Sequence, residues 1–302
     1  MDCFQLRDPL FLASQIISGL AVGGIFALVA LGFVLIYKAS DVINFAQGEL
    51  LMVGAYVGWG LYSTGLPFPL VFVLTLVIAG VIGLLIERVV LRPMIGEPII
   101  AVIIVTLGLS SMLSGLVFGT MSTEVRRFQP EVFSIAPTAI GPFLVPEIYA
   151  WSLLIAALSV AALTAFFRFS PQGIALRAAA DDQQAAMSMG IRISWVFGLS
   201  WALSAAVAAA GGILLGTLTG VNFTLADIGL QGFPVVILGC LDSIPGAIVG
   251  GLIIGVLQNL ASAYLDPCVG GGLKNVFPFV ILVLILMVKP YGLFGRVRIE
   301  RV

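Results

Sequence analysis

Two short stretches of this 302-residue chain set polar groups inside otherwise apolar sequence. The first is Asn44-Phe45-Ala46-Gln47-Gly48-Glu49-Leu50, two amides and a carboxylate at the start of an apolar run. A carboxylate at membrane depth is costly unless it is paired, protonated or wetted, so Glu49 is a candidate functional group, with Asn44, Gln47 and Gly48 beside it. The competing explanation is that the run begins at an interface and Glu49 is simply solvated. The second stretch is Gly239-Cys240-Leu241-Asp242-Ser243-Ile244-Pro245-Gly246-Ala247. Proline removes a backbone donor and the glycines ease bending, so the sequence here divides into two helices at a polar break, with Asp242, Ser243, Pro245 and Gly246 as candidates. Asn222, Asp227 and Gln231 either line the outer part of the same path or belong to a solvated loop.

The residues missing from the chain narrow the chemistry. There is no histidine, hence neither the usual general base nor the commonest transition-metal ligand. No GxxxxGK[ST] phosphate loop occurs, so any ATP chemistry has to reside on another chain. Cys3, Cys240 and Cys268 fall in separate segments without ligand spacing and read as small apolar residues. Neither catalytic residues nor a metal site is indicated, and no cofactor is expected on this chain.

These groups need elements to hold them, and composition says which kind. With 60% hydrophobic and 10% charged residues and a mean hydropathy of +1.17, the chain has too little polar surface to enclose a soluble core. At roughly 35 residues per span and connection, the expectation is an all-α polytopic membrane protein of eight or nine transmembrane or re-entrant helices, two of them discontinuous. The two polar breaks would then resemble the discontinuous helices that form transport pathways. Apolar runs lie near residues 12–37, 43–62, 70–87, 99–119, 149–167, 196–218, 228–240, 245–265 and 276–288, in a single domain over 1–302. The N-terminus lacks a basic region and a cleavage site, so the first run reads as a retained helix.

Arg88 and Arg92, then Arg168, Arg177 and Arg192, then Lys289, Arg296, Arg298 and Arg301 mark three segments as cytoplasmic. The 122–148 connection faces outward, and Pro130, Pro137, Pro142 and Pro146 favour an extended, ordered path suited to an outside partner or a plain connection. If the 43–62 element crosses fully the N-terminus is outside; if it is re-entrant, inside. A net charge of -1 points to no nucleic acid partner.

Residues 168–195 form a polar segment between apolar runs. Ser170-Pro171 offers a cap and a first-turn proline, Asp181 can cap a second short helix, and Gly190 ends it. Ala185 and Ala186 beside Met187 and Met189 would let that helix pack into a partner's groove; an ordinary cytoplasmic loop is the alternative. Asp182, Gln184, Ala185, Ala186, Met187 and Gly190 form a pattern similar to the EAA loop of ABC-importer permeases, which implies a coupling helix on an ATPase subunit.

The stretches 43–50, Gly54-Ala55-Tyr56, Arg92-Pro93, Ser243-Ile244-Pro245-Gly246-Ala247 with Gly250-Gly251, and Lys289-Pro290-Tyr291-Gly292-Leu293-Phe294-Gly295 together resemble the LivH-type permeases of branched-chain amino acid ABC importers. The resemblance covers nearly the whole chain. It implies a bacterial inner-membrane subunit that works with a LivM-like second permease, two cytoplasmic ATPases using ATP and Mg, an extracytoplasmic substrate-binding protein and membrane lipid. Cys240 and Asp242 stand where the family usually has glycine, and Gln184 where a Glu is common. Related permeases serve urea, short amides and other amino acids. A self-sufficient secondary transporter or channel, with Glu49 as its ion or proton site, is the rival reading.

Overall fold

The computed structural model describes residues 9–121, 124–134, 136–140, 143–289 and 292–294. Twelve α-helices follow one another among them: α1 (Pro9–Ser40), α2 (Gln47–Ser63), α3 (Phe68–Ile86), α4 (Ile99–Thr120), α5 (Glu147–Phe169), α6 (Pro171–Asp181), α7 (Gln183–Ser188), α8 (Ile193–Thr219), α9 (Thr224–Leu230), α10 (Gly232–Gly239), α11 (Ile244–Val269) and α12 (Leu273–Val288). A π-helical turn, Glu87–Leu91, and a 3-10 turn, Arg92–Met94, extend α3. A small hairpin of β1 (Pro137–Ile140) and β2 (Phe143–Pro146) interrupts the 122–148 connection. Six helices are long and apolar enough to cross a membrane: α1, α3 with its extension, α4, α5, α8 and α11. The α9–α10 pair and α12 are shorter apolar helices. The protein is therefore an all-α polytopic membrane protein, as its composition requires.

Lipid tails are as apolar as leucine, so such helices associate by close packing of small residues rather than by hydrophobic expulsion. The central contact shows this. Helix α1 is buried from about its middle to its end, residues 19–36, and lies antiparallel against α11. A Cβ on Gly255 would stand 2.3 Å from Gly23 Cα, and one on Gly251 2.6 Å from Ala27 N. Helix α8 meets α2 the same way, with a Cβ on Gly212 falling 2.1 Å from Leu51 O. Around this inner group α3, α4, α5 and α12 turn exposed apolar side chains outward, as helices facing lipid do.

The ends of the helices sort into two faces. At one, Gln183 Nε2 donates to Ala39 O (3.1 Å) and Arg92 Nη2 to Ser194 O (3.3 Å), which gathers the end of α1, the extension of α3, α7 and the start of α8. At the other, Trp59 Nε1 donates to Arg127 O, Tyr62 Oη donates to Pro130 O, and Arg126 pairs through its backbone with Val221. The segment from the end of α1 to the end of α2 thus runs from the first face to the second, with α2 itself beginning at depth, where Gln47 meets Gly32 and Ser204. Among the described residues of the long connection, 126–130 pass over the end of α2.

The sequence placed a polar break at 239–247 and likened it to a discontinuous helix in a pathway. The structure resolves it differently. Gln258 contacts Gln231, Gly250 packs on Val235 O, and Gly246 packs on Gly239, so α10 and α11 form an antiparallel hairpin whose turn is this break. The proline and glycines serve that reversal: Pro245 stands in the first turn of α11, where its missing N–H leaves no bond unmade, and Ser243 Oγ accepts from Gly246 N at 3.0 Å. The interruption within a traverse lies upstream, at Gln231 between α9 and α10.

Candidate functional site

Residues 41–46 leave α1 without regular structure and bring Asn44 and Gln47 into complete burial. Asn44 Oδ1 accepts from Ala46 N (3.0 Å), a local turn that sets the direction of α2. Asn44 Nδ2 donates to Gln47 Oε1 (3.3 Å), and Ser204 of α8 lies 2.9 Å from both Gln47 Oε1 and Gly32 O. Gln47 reaches this position only because residue 32 has no side chain, since a Cβ there would fall 1.9 Å from Gln47 Nε2. Gly48 similarly allows α9 to approach, with Ala226 O 2.3 Å from where its Cβ would be.

Glu49 faces another way, toward α4. Its Oε1 accepts from Ser110 Oγ at 2.7 Å and Ser114 Oγ at 3.4 Å, whereas the equally buried Oε2 has no hydrogen-bond partner. The carboxylate is only 5% exposed, which disposes of the solvated-interface explanation. It sits in the first turn of α2, where the positive end of the helix dipole favours an acidic group. Thr106, Ser110 and Ser114 recur every fourth residue of α4 and so share one helix face, and Phe45 N donates to Thr106 Oγ1 (3.4 Å). Seven residues beyond Glu49 on α2, the buried Tyr56 hydroxyl is also unpartnered, with its ring against Phe223 and Phe223 against Phe118 of α4. These groups make a polar lane between α2 and α4 that aromatic rings close at the outer end.

Thr106 and Asn44 also line a cavity of about 170 Å³. Ser40, Asn44, Glu87, Glu97, Thr106 and Gln183 supply its polar wall; Ile36, Leu91, Met94, Val102, Phe197 and Trp201 supply apolar surface. Glu87, 1% exposed and on the π-helical turn, receives Arg92 Nε and Nη2 at 3.1 and 2.8 Å. That two-pronged pair neutralises a carboxylate which burial would otherwise penalise.

Gln183 connects the cavity to the 168–195 segment, because it is the first residue of α7. Ser170 caps α6 through Gly173 N, as expected, but the cap of α7 is Asp182 rather than Asp181: its carboxylate accepts from Gln184 N (2.8 Å) and Ala185 N (2.9 Å). Asp181 instead ends α6, whose last turn uses up the first of the two aspartates. Gly190 has φ +87°, and the bonds Gly190 N to Met187 O and Ile191 N to Ala186 O complete a Schellman closure. Ala186 packs inward, while Met187 and Met189 stand 53% and 84% exposed on the outer side of the short helix.

Residues 15–286 match the family described as the permease component of the branched-chain amino acid transport system. The chain belongs to that family. It is similar to the high-affinity branched-chain amino acid transport system permease protein LivH of Escherichia coli strain K12, 33% identical over 97% of this chain and 98% of that one. It is likewise similar to BraD of Pseudomonas aeruginosa, 30% identical over 95% and 97%, and to the probable LivH permease of Methanocaldococcus jannaschii, 30% identical over 89% and 88%. The protein is accordingly a multi-pass inner-membrane transport permease, not an enzyme.

Of the residues singled out in sequence, Asn44, Gln47, Gly48 and Glu49 come together at the start of α2. Asp242, Ser243, Pro245 and Gly246 lie apart from them in the α10–α11 turn, where Asp242 and Pro245 are exposed and Leu293 N caps Leu238 O at 2.8 Å. Asn222 Oδ1 caps Thr224 N (3.0 Å), Asp227 is exposed, and buried Gln231 joins Gln258 and Asn275 in a separate amide cluster. Thr106, Ser110, Ser114, Tyr56 and Glu87 were not recognised. The fourfold spacing of hydroxyls on α4 was a readable signal for three of them; Tyr56 was read only as part of the Gly54-Ala55-Tyr56 resemblance, and Glu87 only as the end of an apolar run. Of the C-terminal resemblance, Pro290, Tyr291 and Gly295 lie outside the described residues, as do Arg296, Arg298 and Arg301 of the tail and Cys3.

Proposed function

We propose that this chain is one permease of a heteromeric ABC importer that moves branched-chain or related amino acids inward, with ATP and Mg used by two cytoplasmic ATPases bound to α7. A LivM-like second permease and an extracytoplasmic substrate-binding protein complete the assembly, the latter resting on the 122–148 connection. The observation that carries this reading is the position of Gln183. It belongs to α7, it bonds to the end of α1, and it forms part of the wall of the inner cavity. Displacement of α7 by an ATPase would therefore deform the cavity directly.

Asp182, Gln184, Ala185, Ala186, Met187 and Gly190 have the roles of an ATPase-docking helix in this account. Capping at both ends holds the helix in shape before a partner arrives, and the two exposed methionines are adaptable groove-filling side chains. The largely aliphatic and aromatic wall of the cavity suits an amino acid with a branched side chain better than urea, which has no apolar part.

The test is uptake by the assembly reconstituted with and without its ATPases. Uptake should require the ATPases, and Gly190→Arg should retain membrane insertion while losing coupling, because the position needs positive φ and faces the partner. Uptake that survives removal of the ATPases would instead establish a secondary transporter or channel.

A further inference from the structure

We infer that the inner cavity is a feedback site, which takes the imported branched-chain amino acid from the cytoplasmic side and restrains α7 while occupied. This rests on the importer reading and adds regulation to it. The class of ligand follows from the wall, and the consequence follows from the elements that build the wall.

Five elements meet at the cavity: Ile36 stands on α1, Glu87 on the extension of α3, Val102 on α4, Gln183 on α7 and Trp201 on α8. Its volume of about 170 Å³ exceeds the roughly 150 Å³ that suffices for one benzene molecule, so a branched four-carbon side chain fits. The deep end is apolar in effect. Ile36 and Trp201 are 1% and 4% exposed, and the polar groups beside them are already bonded, Asn44 to Ala46 N and Gln47, Thr106 to Ile103 O and Phe45 N. A hydrocarbon tail placed there leaves none of them without a partner.

The rim is different. Ile95, Gly96 and Glu97 are exposed and follow directly on Arg92–Met94 at the inner face. Glu87 already has Arg92 as its counter-ion, whereas Glu97 forms no ion pair among the described residues, and no lysine or arginine lines the cavity. The rim therefore carries a net negative charge and favours the ammonium of an amino acid, whose carboxylate stays in the water outside. Because the deep end is buried, a ligand that enters by the rim leaves by it, which suits a sensor rather than a passage.

The link to transport is reciprocity. Gln183 Nε2 donates to Ala39 O, which holds α7 against the end of α1 and keeps the wall complete. If movement of α7 takes the wall apart, an occupant that needs the whole wall favours the unmoved α7 by the same free energy. Amino acid accumulated in the cytoplasm would therefore slow ATP hydrolysis.

The experiment uses the complete importer in proteoliposomes whose ATPases face the bath, with leucine-loaded binding protein inside. ATP hydrolysis is followed as leucine is added to the bath, each rate expressed relative to the same protein without bath leucine. Hydrolysis by the wild type should fall at least about fivefold at saturation. The 4-methylpentanoate ion, which is leucine without its ammonium group, should have no effect, and alanine, with the same head and a one-carbon tail, much less. Glu97→Gln should raise the leucine concentration for half inhibition about threefold to fivefold, as loss of an exposed charge does. Val102→Ala, which removes two carbons from the wall, should raise it by up to about tenfold. Without ATP, a diazirine analogue of leucine should label residues 94–106 or 197–201 of the wild type, and leucine should protect them.

An importer that transports amino acid normally and ignores bath leucine would overturn the inference. So would equal inhibition by 4-methylpentanoate, half inhibition unchanged in both variants, or labelling confined to other segments. An assembly that moves no amino acid at all would count against the importer reading instead.

Discussion

The start of α2 and the α10–α11 turn look alike in sequence and act differently in the fold. Each is a short polar stretch in apolar surroundings, and each contains glycines that allow backbones to touch: Gly48 against Ala226 O, Gly246 against Gly239 O. At the first, polar side chains point inward. Asn44, Gln47 and Glu49 are 0%, 0% and 5% exposed, and the amides are matched by Ser204 while one Glu49 oxygen is left open. At the second, Asp242 and Pro245 point outward and the turn is closed by its own cap and by Leu293. A polar break in a membrane protein marks a site when its side chains are buried and incompletely satisfied; otherwise it marks a place where the chain turns.

The comparison can be broken at several levels. The largest effect belongs to packing, which the two regions share. Gly48→Val should reduce the amount of folded permease about tenfold or more, since its first carbon alone would collide with the backbone of α9 and such overpacking costs about 1–3 kcal/mol or more. Quantifying the permease in membranes checks this; normal abundance would mean that α2 and α9 do not meet as described. Function separates the regions next. Asp242→Asn and Pro245→Ala should leave uptake within about twofold of wild type, because exposed changes away from packed features stay near ±0.5 kcal/mol. A strong loss at either position, with abundance intact, would restore the turn as part of the pathway.

The smallest effect concerns Cys240, which adopts φ +85° although it is not glycine. Cys240→Gly should stabilise the protein by up to about 1–2 kcal/mol, less the entropy that glycine adds to the unfolded chain. Thermal unfolding in detergent, with an expected rise of a few degrees, measures it. An unchanged or lower Tm would show that the cysteine side chain contributes more than its backbone strain removes.

Much of this was legible in sequence because it depends on local rules. The apolar runs gave the helices, Ser170-Pro171 and Gly190 gave the limits of the α6–α7 segment, and Glu49 stood out as an ionisable residue at depth. The misplaced cap illustrates the limit of such rules: Asp181 and Asp182 are chemically equal, and which one caps is decided by where α6 stops. The difference between a broken helix and a helical hairpin at 239–247 was hidden for a related reason. Proline and glycine announce an interruption, but the direction taken afterwards depends on contacts such as Gly250 on Val235 O, distant in sequence. The site's second wall was missed because Thr106, Ser110 and Ser114 are individually ordinary in a membrane helix, where hydroxyls can bond the preceding turn. Only the proximity of α2 gives them a role.

The claim that the buried polar groups between α2 and α4 belong to a part of the fold that rearranges during transport is tested most directly at Ser110. In a background with Cys3, Cys240 and Cys268 replaced, Ser110→Cys should be sheltered from a small thiol reagent in the resting assembly. Labelling should rise while ATP is hydrolysed and stop uptake once complete. Labelling indifferent to turnover, or full labelling with uptake intact, would contradict the account.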